Sequence, residues 1–350
     1  MIRFIPTEIT GYGDRTGRKN DELIWRCVVV IRSDGKFSVL LVTEYPWISV
    51  SGFGAHIKST PKTLIIQKKN TIEEYPVTEV KNLLIIGGHT LHTSAVLNLI
   101  RHGAIISFFE ADGTPAGTIR PPGDQNLMEL YGLQKTIPRQ RFATALAKTS
   151  VQARLFFIER EEETRNIRIF YEGELEFLRS SLHELAFLIK IDEIRRLHRL
   201  VSDMYYEIMS RTLPPELGFR RRSMRPHQDP VNAMLSFGYA MLFGNCTVAT
   251  IGAGLDPDGG LLHDGRDSLI YDLMDPLKPG MVDTVVFQIA QKTLREEDYE
   301  LTPGRCMLSD DLIQEITGQL HTSIKTDIIN RQAISLANSI RTGSEFTVLY

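Results

Sequence analysis

The sequence predicts an α+β protein with a β-rich N-terminal domain and an all-α C-terminal domain, and three observations predict it. Short apolar runs separated by turn signals fill the chain up to about residue 120. Adjacent prolines in Arg120-Pro121-Pro122-Gly123-Asp124 then break every regular pattern. Beyond them the apolar spacing becomes helical.

Cys27 to Ile31 and Val39 to Thr43 are strand-like runs flanking the turn signal Ser33-Asp34-Gly35. Lys62 to Gln67 and Thr71 to Val77 form a second expected hairpin, with Lys68-Lys69-Asn70 at its bend. Leu83 to Ile86 is a short buried strand ending in Gly87-Gly88. A helix follows over Thr90 to Arg101, its apolar positions being Leu91, Ala95, Val96, Leu99 and Ile100. Ala104 to Phe109 and Thr114 to Ile119 pair back across Ala111-Asp112-Gly113. The domains therefore run 1–120, with residues 1–54 as a strand-rich extension, and 125–350, with 121–124 as linker. In the second domain Leu182, Leu185, Ala186, Ile189 and Ile194 keep helical spacing. The clearest helix opens with Asp229 as N-cap and Pro230 at its first position, buries Val231, Met234, Leu235, Met241 and Leu242, and is expected to stop at Gly244.

Composition narrows the function. With 350 residues, 42% hydrophobic and 24% charged, the chain has globular usage and length for more than one core. A net charge of −3 supplies no overall basic field, so any nucleic-acid role needs a local patch. Three scattered cysteines form neither a disulfide framework nor a zinc cage. No secretory leader or membrane-length apolar run is read, so a cytoplasmic protein with no membrane partner is expected.

Chemistry concentrates in the helical half. His263 sits in a glycine-flanked segment, Gly259 to Gly265, that can bring backbone close to a ligand. Asp272 and Asp275, three apart, share one face of a helix and repel unless a cation or proton lies between them. With one imidazole they suit manganese or magnesium; the alternative is a solvated acidic face with His263 capping a loop. From Arg195 to Arg225, eight arginines against three acids leave a local balance of +5. Arg220, Arg221, Arg222 and Arg225 form a candidate phosphate clamp, or else a solvated loop. His198 lies among Arg195, Arg196 and Arg199, which favour its neutral form. Tyr205-Tyr206 reads as core, and His89, His92 and His227 as structural or loop residues.

Lys81 to Gly88 with the helix after it, Arg101 to Phe109, Asp112 to Gly117, Phe219 to Leu242, Leu262-His263, and Ser268 to Pro279 together resemble the CRISPR-associated Cas1 integrases. The likeness spans roughly residues 55–320. It implies a DNA endonuclease and integrase that inserts short double-stranded DNA fragments by phosphodiester transesterification. It also implies a homodimer joined through its β-domains, a small Cas2-type partner, and Mn2+ or Mg2+ as cofactor. Carried over, His263 and Asp275 are metal ligands, and His263, Asp272 and Asp275 the catalytic set. The family's third ligand is a glutamate seven residues before a Tyr-Phe pair. Alignment on Tyr205-Tyr206 puts His198 there, with Arg199 in place of the following glycine. Glu193 and Asp203 are each five residues away, about 140° around a helix, and do not substitute. The implied metal set is thus His198, His263 and Asp275, with a catalytically weakened DNA-binding scaffold as the alternative.

Overall fold

The computed structural model describes residues 28–31, 37–40, 45–69, 71–122, 125–166, 168–223, 225–291 and 294–350. The turn at Ser33-Asp34-Gly35, Asn70 of the second bend and most of the extension lie outside them. The chain forms two compact units that divide between residues 124 and 125.

In the first unit β1 (Val28–Ile31) and β2 (Phe37–Leu40) pair antiparallel. They are followed by β3 (Trp47–Ser51), β4 (His56–Ser59), β5 (Thr63–Lys68), β6 (Thr71–Pro76), β7 (Asn82–Ile86), β8 (Thr90–Leu91), α1 (Thr93–Arg101), β9 (Ile105–Phe109) and β10 (Pro115–Ile119). Six strands form one sheet in the order β1-β2-β6-β5-β4-β8, and four form a second in the order β10-β9-β7-β3. Ile57, Leu64 and Ile66 of the first sheet share one core with Ile48, Val50, Leu83, Ile85 and Ile106 of the second. Ala95 and Leu99 of α1 complete it.

Two expectations change here. The extension does not reach residue 54, because β3 pairs parallel with β7 and buries Trp47, Ile48 and Val50. The helix starts at Thr93 because Thr90-Leu91 pair parallel with β4. Gly87 has to be glycine: its φ is +90°, and a Cβ would stand 2.3 Å from the Gly52 carbonyl oxygen.

The second unit runs α2 (Gln125–Thr136), α3 (Arg139–Arg165), α4 (Glu174–Glu184), α5 (Ile191–Ser210), α6 (Pro230–Gly252), α7 (Ser268–Met274), α8 (Thr284–Gln291), β11 (Tyr299–Thr302), β12 (Arg305–Leu308), α9 (Asp310–Ser323) and α10 (Thr326–Thr342). It is helical apart from the β11–β12 hairpin, a departure from an all-α domain. The run from Leu182 to Ile194 is split between α4 and α5. Asp229 caps α6 as expected, accepting from the Asn232 amide at 2.7 Å. The helix passes through Gly244, which is buried, and ends at Gly252; packing outweighs the local preference of glycine for a terminus. Among the described residues α6 alone is long and apolar enough to cross a membrane, yet 56% of its most apolar window is buried within the fold.

Candidate metal centre

Three elements carry the converging side chains. His198 lies on the buried face of α5, with Ile194, Val201 and Tyr205. His263 lies in the loop between α6 and α7, and Asp275 opens a tight turn directly after α7. One ligand atom from each of the three lies within 4.8 Å of the others. His198 Nε2 is 3.5 Å from Asp275 Oδ2, and the two imidazoles stand edge to face with ring centres 6.2 Å apart.

Asp272 and Asp275 are both buried, which overturns the solvated-face alternative. The two carboxylates have different partners, however. Asp272 turns away from the centre and accepts from the amides of Leu261, Leu262 and His263 at 2.5, 2.9 and 2.9 Å. Its fourth partner is His263 Nδ1, at 2.7 Å. Four donors saturate a carboxylate, so Asp272 holds the His263 ring in place and has no lone pair left to offer the cluster of His198, His263 and Asp275. With Asp272 accepting from Nδ1, the lone pair of His263 is on Nε2. Asp275 Oδ1 accepts from Lys278 Nζ, and its Oδ2 faces His198.

The glycines before His263 serve the backbone and not a ligand. A Cβ on Gly260 would meet the His263 carbonyl oxygen at 2.4 Å and the Ser268 hydroxyl at 2.5 Å. The Ser268 hydroxyl holds the Gly260 amide at 3.0 Å, which fixes the loop onto the start of α7.

Charge states follow from this packing. Burial pushes His198 down to about 3 against the pull of Asp275, helped by Arg154, so the ring is neutral, the form a metal ligand needs. Burial would lower His263 too, but its hydrogen bond to Asp272 and the charges of Asp275 and Asp272 raise it overall. Burial works against ionised Asp275, yet Lys278 and the other surrounding cations hold it well below the usual carboxylate range.

Sequence reasoning missed four neighbours. Ser150 on α3 stands 3.0 Å from His198 Nε2 and accepts from Arg154 Nη1. Arg154 is buried, and its Nε has no hydrogen-bond partner. Lys278 is three residues past Asp275, so its spacing could have flagged it. Asp283 is fully buried and accepts from Tyr205 and Tyr239, at 2.8 and 2.5 Å. Nothing local distinguishes it or Arg154.

The arginine cluster divides. Arg220, Arg221 and Arg225 are exposed. Arg222 bonds to Asn232 Oδ1 at 2.7 Å and Ser236 Oγ at 2.6 Å, so it pins its loop to α6 and is not free to clamp a phosphate. Tyr205 and Tyr206 are core, as expected. His227 is a buried loop residue, 2.5 Å from Ser236 Oγ. His89 is structural, taking the Ala55 amide on Nδ1 at 3.1 Å. His92 precedes α1.

The donor set fits a divalent transition ion: two imidazoles and one carboxylate, close together and converging from three elements. Lys278 and Arg154 already offset negative charge there, which weakens the pull on a cation bound mainly by charge.

The family profile described as CRISPR associated protein Cas1 matches residues 48–322. A CRISPR-associated Cas1 relative from Methanospirillum hungatei JF-1 is 40% identical over 301 residues, covering 86% of this chain and 99% of its own. The CRISPR-associated endonuclease Cas1 2 of Pyrobaculum aerophilum is 27% identical over 308 residues, with 84% and 99% covered. Among solved structures, a casposase bound to integration product superposes with a TM-score of 0.74 at 19% identity, covering 87% of this chain and 99% of that one. A Cas1 protein from Thermotoga maritima gives 0.66 at 18%, with 86% and 98% covered.

Proposed function

The chain belongs to the CRISPR-associated Cas1 family, and we propose on that ground that it is a divalent-metal-dependent DNA endonuclease and integrase of CRISPR adaptation. It joins short double-stranded DNA fragments into an array by phosphodiester transesterification. The observation that carries this reading is the convergence of His198, His263 and Asp275 on one point. His198, His263 and Asp275 would hold a divalent cation there, which would supply Lewis-acid polarisation of a phosphodiester and stabilisation of the charge that builds in its transition state. Asp272 keeps the His263 proton on Nδ1 and its lone pair on Nε2. Lys278 takes one oxygen of Asp275, which leaves the other to face His198. Arg220, Arg221 and Arg225 supply cations for the DNA backbone.

Two nitrogen donors favour manganese, zinc or nickel over magnesium, so Mn2+ is the better of the two expected cofactors. The protein works in the cytoplasm as a homodimer with a small Cas2-type partner; for the partner, the support is that one structural relative is a partial Cas6-RT-Cas1–Cas2 complex. The deciding experiment is transfer of a short duplex into supercoiled plasmid with Mn2+. His263→Ala is expected to abolish it; equal activity in that variant would end the reading.

A second reading is favoured by His198 standing where the family has glutamate, with Lys278 already on Asp275. It makes the protein a DNA-binding assembly scaffold with weakened catalysis. Duplex binding then survives EDTA and weakens with salt, because phosphate neutralisation needs arginine and not metal. His198→Glu separates the two readings: a large gain in cleavage means the histidine disarmed the site.

A further inference from the structure

We propose that Arg195, acting with Arg139 and Asp264, is a positioning group that sets the spacing between the His198 and His263 imidazoles. The proposal deepens the metal reading above and rests on it.

Backbone polar groups of residues 261–263 are tied down on both sides. Their three amides go to Asp272, and their three carbonyls go to two arginines. Arg139 Nε donates to Leu261 O at 3.3 Å and its Nη2 to His263 O at 3.2 Å. Arg195 Nε donates to Leu262 O at 2.9 Å. The next side chain, Asp264, bridges both guanidinium groups, at 2.7 Å from Arg139 and 2.6 Å from Arg195.

Arg195 lies on α5 three residues before His198, so the two share a face of the helix. The loop that presents one imidazole is therefore bolted to the helix that presents the other. The bolt is a planar fork, which a lysine cannot reproduce. Asp264 is 60% exposed and the arginines about one third, so these ion pairs contribute little to global stability. What they do contribute is geometry, and a ligand set needs that to within about 0.5 Å.

The test compares Arg195→Ala, Arg195→Lys and Asp264→Ala with the full-length wild-type chain. Mn2+ affinity is measured by calorimetry and amide hydrogen exchange at residues 261–263 by mass spectrometry. The expected result is a loss of Mn2+ affinity of about 10–100-fold in all three variants, with a thermal midpoint close to wild type and faster exchange at those amides. Wild-type affinity in Arg195→Ala, or full rescue by Arg195→Lys, would overturn the proposal. If the wild-type chain binds no Mn2+, the metal reading fails and the clamp is judged on exchange alone: faster exchange in Arg195→Ala supports it, and unchanged exchange removes it.

Discussion

The β-rich unit and the helical unit solve burial in opposite ways. Among the described residues of the first, Ser107 is the one polar side chain buried outright, and Leu64, Leu83 and Ile106 fill the space between the sheets. The helical unit buries Arg154, His198, Asp272, Asp275 and Asp283 in its interior. Desolvating such groups is costly unless each finds a partner, and Arg154 Nε has none. The contrast separates a unit built for packing from one whose interior is arranged around chemistry, where polar groups serve as one another's solvent.

The strongest way to break this contrast pits Asp272→Ala against Leu64→Ala. The first strands four donors and costs about 3–5 kcal/mol; the second opens a cavity and costs about 2–5 kcal/mol. Denaturant unfolding together with Mn2+ titration reads both. Asp272→Ala is expected to lose metal affinity as well as stability, and Leu64→Ala stability alone. Equal loss of affinity in both would mean that the two interiors are not functionally distinct.

A weaker effect sharpens the electrostatic half. His263 has a raised pKa, so its proton competes for Nε2 over a wider acidic range than in a free imidazole. Mn2+ affinity should rise with pH by about tenfold per unit below that pKa, and level off above it. A flat profile across the acidic range would remove His263 from the ligand set.

The smallest effect concerns the arginines. Removing Arg220, Arg221 or Arg225 is expected to reduce the salt slope of DNA binding by about 0.9 for each phosphate that is no longer neutralised. Arg222→Ala should leave the slope alone and destabilise the start of α6 by about 1.5 kcal/mol, through its bonds to Asn232 and Ser236. Binding isotherms at several salt concentrations and a thermal melt distinguish the two behaviours.

Much of the fold was legible because its signals are local. The 62–77 hairpin, the strand ending at Gly87, and the Asp229-Pro230 start of α6 depend on neighbours two to four residues away. What failed depended on distant packing: β3 is a strand because β7 lies beside it, and α6 runs through Gly244 because that glycine is buried. The site divided the same way. His198, His263 and Asp275 could be named from motif and register. The bond of Asp272 to the His263 ring, and the presence of Ser150, Arg154 and Asp283, could not, since each meets residues far along the chain.

The sequence by itself determined the kinds of donor available and the order in which the chain delivers them: one imidazole, a second imidazole, and two aspartates three residues apart. Only the tertiary structure decided which aspartate faces inward. Three backbone amides and an imidazole saturate one of them, Lys278 takes one oxygen of the other while its second oxygen faces His198, and helical spacing alone makes the two equivalent.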